Sequence, residues 1–157
     1  MLATRARAVL ATLWVGSLWT IGYIVAPTLF ATLEDRSLAG TLAGRMFHIE
    51  AWVTIVCAVL LALLVARAGA SFEARQRKHI LIVIGVMLLG TLVSHFGIQP
   101  HMAALRAAVG PGAVMPAELQ ASFGRLHGIS SAIYMVQSVL GLVLVLKLNQ
   151  ARQASLR

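Results

Sequence analysis

Four long apolar segments follow one another along the chain, and the charged residues are concentrated between them. Residues 8–33 carry no charged side chain, and a segment of that length can cross a bilayer with some tilt. Three more segments rich in Leu, Ile, Val and Ala follow, so we expect spans at about 8–31, 47–66, 80–99 and 128–147. The pattern predicts an all-α, antiparallel bundle of four transmembrane helices in a single domain, 1–157.

The basic residues are divided unequally between the two sides of this expected bundle. Nine of the 13 Lys and Arg residues lie in the N-terminal tail, in the connection between the second and third spans, and in the C-terminal tail. Cytoplasmic connections carry such an excess of positive charge. We therefore expect both termini in the cytoplasm and the protein in a bacterial inner membrane. Because spans separate the basic residues, they form no single soluble patch for nucleic acid.

The composition excludes several other classes of protein. Hydrophobic residues make up 59% of the chain and charged residues 11%, whereas soluble domains are about 45–50% apolar and about 25% charged. The single cysteine excludes an intrachain disulfide and a cysteine-based zinc cluster. The sequence contains no phosphate-binding loop, no dinucleotide-binding glycine motif and no hydrolase motif. It therefore indicates no catalytic residue, and we lean against an enzyme.

The connection at 100–127 is longer than two antiparallel helices require. Glycine and proline at 110–112 indicate a turn, and Pro116 suits the first position of a helix. We expect a short amphipathic helix after it, with an apolar face formed by Leu119, Phe123 and Leu126.

Each expected span also carries a stripe of small or polar residues at helical spacing. The stripes are Thr12, Gly16, Thr20 and Tyr23; Glu50, Thr54 and Cys57; Met87, Thr91, Ser94 and His95; and Ser130, Tyr134, Gln137, Ser138 and Gly141. We expect them to face one another, because small and polar residues mediate contacts between membrane helices. Ionisable residues inside a membrane also suggest function, and Glu50 with His95 could form a proton relay.

Four of the five histidines fall at the outer end of the expected topology, together with thioethers and a carboxylate. Imidazole suits copper, zinc and iron, and thioether favours Cu(I). The set therefore predicts a metal site, with copper favoured, formed by His48, His95, His101, His127, Met46, Met102 and Glu50. The alternative is that these histidines are structural and lie at the level of the lipid headgroups.

Two further functions remain open at this stage. In a redox protein, His95 or His127 would ligate haem b, and Tyr134 or Arg106 would hold a haem propionate or a quinone oxygen. In a non-catalytic accessory subunit, the small-residue stripes would face partner membrane helices or a second copy of the chain.

Several short motifs together resemble a known family. They are Trp14-x-Gly16, Pro27-x-x-Phe30, Ala39-Gly40 with Gly44 and Phe47, Gln99-Pro100-x-Met102 with Leu105-Arg106, and Phe123-x-x-Leu126-His127-Gly128-x-Ser130. Their order resembles the transmembrane protein 205-like family, a four-helix membrane domain without an assigned activity. Its bacterial members are distantly similar to CopD-type copper-resistance proteins and to haem proteins of the protoporphyrinogen-oxidase type. The resemblance singles out His127, Arg106, Pro100 and Pro27.

Overall fold

The regular elements of the structure, a computed structural model that describes residues 2–68, 72–109 and 114–154, are all helical. The α-helices are α1 (Leu2–Trp19), α2 (Ala26–Thr32), α3 (Arg36–Ala66), α4 (Ala74–Leu92), α5 (Gln99–Ala107) and α6 (Ala117–Ala154). Two π-helical segments, Thr20–Val25 and Val93–Ile98, join α1 to α2 and α4 to α5. The predicted all-α fold is confirmed.

Four continuous helices are long and apolar enough to cross a membrane. We number them span 1 (Leu2–Thr32), span 2 (Arg36–Ala66), span 3 (Ala74–Ala107) and span 4 (Ala117–Gln150). Each span packs against the next, and span 4 closes the ring against span 1. Span 4 runs antiparallel to span 1, since Trp19 Nε1 donates to the carbonyl of Ser138 at 3.3 Å while Val15 packs at Gly141. We call the end of the bundle away from both termini the distal end.

The helices extend further than the expected spans at the distal end. The side chain of Asp35 caps α3 by accepting hydrogen bonds from the backbone N–H groups of Ser37 and Leu38, at 2.7 and 3.1 Å. Such a cap satisfies donors that lack a partner at a helix start, so α3 begins at Arg36 rather than near Phe47. In the same way, 117–127 belongs to α6 and not to a separate short helix. The expected turn at 110–112 lies outside the described residues.

The half of the bundle near the termini is a closely packed apolar core. Its largest fully buried side chain is Trp14 of span 1, which is 0% exposed. The other fully buried apolar members of this cluster are Ala58, Leu61, Val65, Ile80, Met87 and Leu144. Close van der Waals packing is a main source of stability between membrane helices, because lipid is as apolar as the core. We call this cluster the packed half.

Spans 1 and 3 share one local structure at the distal end, a π-helical segment followed by a proline. Pro27 and Pro100 each occupy the second position of an α-helix that follows a π-helical segment of 6 residues. Proline lacks the N–H that would bond to the carbonyl four residues earlier, and its ring clashes with that carbonyl. A widened π-helical turn accommodates such a disruption. The helix therefore continues past Pro27 and Pro100 through this wider turn.

The polar stripes of spans 2, 3 and 4 face the interior as expected. Glu50, Thr54 and Cys57 are buried on span 2, and Gln137 and Ser138 are buried on span 4. Thr91 and Met87 are buried on span 3.

Span 1 is rotated relative to the expectation. Thr12, Gly16, Thr20 and Tyr23 are exposed. Apolar residues face the interior in their place, namely Ala11, Val15 and the larger Trp14 and Leu18. The expectation was wrong for this span because large apolar side chains, rather than small ones, fill the centre of the packed half.

Candidate functional site

A cavity of about 390 Å³ lies in the distal half of the bundle, and all four spans contribute to its wall. Its polar lining consists of Tyr23, Glu50, Thr91, Ser94, His95, Gln99, Arg106, His127, Ser130, Ser131, Tyr134 and Gln137. Apolar and small residues form the rest, including Pro27, Phe30, Phe47 and Met102. Both proline-containing helices border this distal cavity. Its volume lies in the range of about 300–1,000 Å³ that is usual for small-molecule sites.

Buried hydrogen bonds between and within spans lie at the end of the distal cavity nearer the packed half, which we call its floor. Gln137 Nε2 donates to the carbonyl of Met87 at 2.7 Å and to Thr91 Oγ1 at 2.8 Å, which joins span 4 to span 3. On span 2, Thr54 Oγ1 donates to Glu50 Oε1 at 2.7 Å. Both amide hydrogens of Gln137 are therefore engaged in hydrogen bonds to span 3 and are not available to a ligand. The floor is left with oxygen atoms, from Glu50 and Gln137, that can accept hydrogen bonds.

Tyr134 forms one side of the distal cavity and joins span 4 to span 1. Its hydroxyl donates to the carbonyl of Leu18, and its ring lies against Gly22. The ring also meets Phe47 edge to face, with 5.4 Å between centroids. Only glycine permits this approach, since a Cβ at position 22 would lie 2.8 Å from Tyr134 Cζ and Oη.

Arg106 brings a positive charge to the distal end of the cavity. Its guanidinium lies on the glycine face of α3, where a Cβ at Gly44 would be 3.4 Å from Nη1. On the other side, Arg106 Cζ lies 4.9 Å from the centroid of the Phe123 ring, a distance at which cation–π attraction operates. Glu50 is the only acidic residue among those that line the cavity. It lies about 9 Å further along α3 than Gly44, toward the floor.

Two exposed residues in its lining indicate that the distal cavity opens sideways, between spans 1 and 4. Tyr23 and Met135 line it, yet they are also 52% and 63% exposed. Both residues belong to helices that are long and apolar enough to span a membrane. A molecule dissolved in the bilayer could therefore reach the cavity through this opening.

The four residues that the sequence suggested for a haem or quinone all line the distal cavity. These are His95, His127, Arg106 and Tyr134. His127 also stacks on the ring of Phe123, with centroids 6.2 Å apart and 8° between planes. The structure thus brings this set to one cavity, from spans 3 and 4.

The residues that the sequence suggested for a metal are more widely spread. Glu50, Met102, His95 and His127 line the distal cavity, whereas Met46, His48 and His101 do not. The His48 ring lies 4.9 Å from the His95 ring between centroids, so two imidazoles do meet. His101 is exposed, with Nδ1 2.8 Å from the carbonyl of Gly97 on its own helix. Within residues 2–68, 72–109 and 114–154, no group of three or more His, Cys, Asp or Glu side chains could hold a metal ion.

Sequence reasoning assigned no role in the site to the glycines that shape it, although Gly40 and Gly44 belong to one of the family motifs. The ring of Tyr134 packs directly against Gly22, and the guanidinium of Arg106 packs against Gly40 and Gly44. The spacing Gly40-x-x-x-Gly44 was a usable signal, since small residues four apart let another group approach a membrane helix closely.

The fold and the site together define a four-helix membrane protein with a ligand-sized cavity between its helices. Residues 9–110 match the family described as Domain of unknown function (DUF4149), and the chain belongs to this family. The match covers most of span 1 and all of spans 2 and 3, and it ends before α6. It does not extend to the more specific resemblance to the transmembrane protein 205-like family or to CopD-type proteins. No curated protein matches the chain, and no solved structure matches it.

Proposed function

We propose that this protein binds a lipid-soluble amphipathic molecule of the quinone type in the distal cavity. The observation that carries the proposal is the convergence of His95, Arg106, His127 and Tyr134 on one cavity. Its lining also includes Tyr23 and Met135, which are exposed on apolar helices. A redox protein of the membrane would use such a site to take up and release its carrier. In the metal-handling alternative, by contrast, Met46, His48 and His101 of the suggested ligand set do not line this cavity.

The chemistry of the lining is arranged in two polar levels. Arg106 and His127 supply donors at the distal end, and Glu50 and Gln137 supply acceptors at the floor. From His127 to Gln137, α6 rises about 15 Å. A carbonyl oxygen of a quinone suits the donors, and a hydroxyl of a quinol suits the acceptors. Phe47 and Met102 lie among the apolar lining that would contact the ring.

Arg106→Gln is the test of this proposal. We expect it to raise the Kd for ubiquinone-1, a short-chain quinone, at least tenfold, because a hydrogen bond from a charged donor contributes about 1.5–3 kcal/mol. Quenching of tryptophan fluorescence in detergent-purified protein measures the Kd. The matched control is Arg125→Gln, because Arg125 is exposed and lies outside the cavity lining. Equal Kd values for the two variants, or no saturable binding by the wild type, would refute the proposal.

A haem version of the same site rests on His95 and His127. Both line the distal cavity, so either could serve as an axial ligand while Arg106 pairs with a propionate. Haem bound through histidine gives a Soret band that shifts on reduction. Purified protein with this band, lost in His127→Gln or in a His95→Gln variant, would favour haem over a free quinone.

Copper handling rests on the pair formed by His48 and His95. Two imidazoles can bind Cu(I), and thioethers favour that ion, but Met46 does not line the distal cavity beside Met102. Elemental analysis of the purified protein decides this point. Copper near one equivalent per chain, lost in His48→Gln, would replace the quinone proposal with a metal-handling one.

The topology is a separate proposal, based on the distribution of Lys and Arg. We propose that both termini face the cytoplasm of a bacterium and that the distal end faces outward. Alkaline phosphatase is active only outside the cytoplasm. A fusion after Arg157 should therefore be inactive and one after Leu33 active; the reverse pattern would show the opposite orientation.

A further inference from the structure

A second pocket lies on the outer surface of the bundle, between α3 and α5. It has a volume of about 580 Å³. It adjoins the distal cavity, and four residues line both: Gly44, His95, Gln99 and Arg106. Its polar lining consists of Thr41, Arg45, His48, His95, Gln99 and Arg106. Among the described residues, the lining includes no acidic side chain, so Arg45 and Arg106 give the pocket a positive charge that no carboxylate in the lining balances. We call it the interfacial pocket.

Helical spacing explains why these groups point the same way. Thr41, Arg45 and His48 follow one another at intervals of four and three residues, which places them on one face of α3. That face meets span 3, where the His48 and His95 rings are 4.9 Å apart. Arginine offers a planar fork of donors that matches phosphate oxygen atoms. The pocket therefore suits a phosphate group held by Arg45 and Arg106, which both belong to its lining.

The surface next to the interfacial pocket is apolar and aromatic. Trp52 and Phe96 are 49% and 57% exposed and contact each other edge to face at 6.4 Å between centroids. From Arg45 to Trp52, α3 rises about 10 Å toward the middle of the membrane. Arg45 and Arg106 thus lie closer to the distal end than the apolar surface of Trp52 and Phe96, along which an acyl chain can lie.

We propose that the interfacial pocket binds the phosphate group of an anionic phospholipid. Arg45 and Arg106 hold the phosphate oxygen atoms, His48 and Gln99 add hydrogen bonds, and the acyl chains lie along Trp52 and Phe96. The site goes beyond the proposed quinone function, because Arg45 and His48 do not line the distal cavity. Arg106 belongs to both sites, so an occupied interfacial pocket would also fix the position of its guanidinium.

The experiment compares lipid binding by native mass spectrometry in detergent. The full-length protein is titrated with dioleoylphosphatidylglycerol and, separately, with dioleoylglycerol, which has the same chains and no phosphate. We expect an adduct with phosphatidylglycerol and a weaker one with dioleoylglycerol. Arg45→Gln should lower the affinity for phosphatidylglycerol about fivefold, the usual contribution of one basic residue at an anionic membrane surface. Arg125→Gln, at an exposed arginine outside both pockets, should leave it unchanged.

Inorganic phosphate distinguishes the two sources of this chemical group. Persistence of the phosphatidylglycerol adduct in millimolar phosphate supports a lipid headgroup, whereas loss of the adduct would overturn the lipid assignment in favour of a free phosphate site. Equal binding of the two lipids, or equal affinities of Arg45→Gln and Arg125→Gln, would overturn the proposal altogether. Arg45→Gln should still bind ubiquinone-1 like the wild type, which separates this result from the test of the distal cavity.

Discussion

Trp14→Ala is expected to lower the free energy of unfolding by about 3–5 kcal/mol, the usual cost of removing a large aromatic side chain from a core. Trp14 is 0% exposed in the packed half, a cluster to which all four spans contribute. Its loss removes van der Waals contacts in that cluster, and such packing is a main source of stability between membrane helices. Thermal unfolding should therefore begin roughly 6–20 °C earlier.

The single cysteine provides the measurement for this prediction. Cys57 is buried in the same cluster, so a thiol-reactive fluorescent dye reports when the packed half opens on heating. Trp14→Phe is the matched control. Phenylalanine keeps an aromatic ring at this position. It also loses no hydrogen bond, because within the described residues Trp14 Nε1 is buried without a partner. We expect a change below about 1.5 kcal/mol; a loss as large as that of Trp14→Ala would contradict the packing explanation.

Gly22→Ala is expected to destabilise the protein by about 1–3 kcal/mol and to weaken quinone binding. The added methyl group would overlap the ring of Tyr134. The ring must then move, and its hydroxyl loses the carbonyl of Leu18 as acceptor. Because Tyr134 lines the distal cavity, this displacement changes the shape of the site as well as the contact between spans 1 and 4. The thiol-dye unfolding midpoint and the Kd for ubiquinone-1 measure the two effects.

Gly16→Ala separates this contact from the general effect of replacing glycine in a helix. Gly16 also lies on span 1, but a Cβ there would meet nothing within 4 Å. Alanine is a better helix former by about 1 kcal/mol, so this control should be neutral or slightly stabilising. If Gly16→Ala were as harmful as Gly22→Ala, the close approach of Tyr134 could not be the cause.

The number of membrane-spanning helices and the inward faces of spans 2 to 4 could be predicted from the sequence, because a bilayer imposes strong requirements. An apolar segment of sufficient length has few alternatives to a helix in lipid. Polar residues at helical spacing, such as Glu50 and Thr54, mark the face that avoids lipid. On span 1 this rule failed, since a threonine hydroxyl can satisfy itself on its own helix. Thr28 shows this on the same span, with Oγ1 donating to the carbonyl of Ile24 at 2.6 Å.

The site could be predicted only in part, because convergence depends on how each helix is rotated. His95 and His127 belong to different spans and both reach the distal cavity. His101 is only six residues beyond His95, but it follows Pro100 and the widened turn, and it is exposed. A π-helical segment changes the angular position of every later residue. Nothing in the spacing of the histidines signalled that change.

The division of the bundle into a packed half and a cavity half has a consequence for how such proteins can diverge. Substitutions that drop a protein below its threshold of stability are eliminated whatever their effect on binding. Here the fully buried cluster around Trp14 lies apart from Met102 and His127, which line the cavity. A descendant of this chain can therefore exchange cavity residues that join no two spans by a hydrogen bond, such as Met102 and His127, and with them its ligand, while it keeps the framework that folds it.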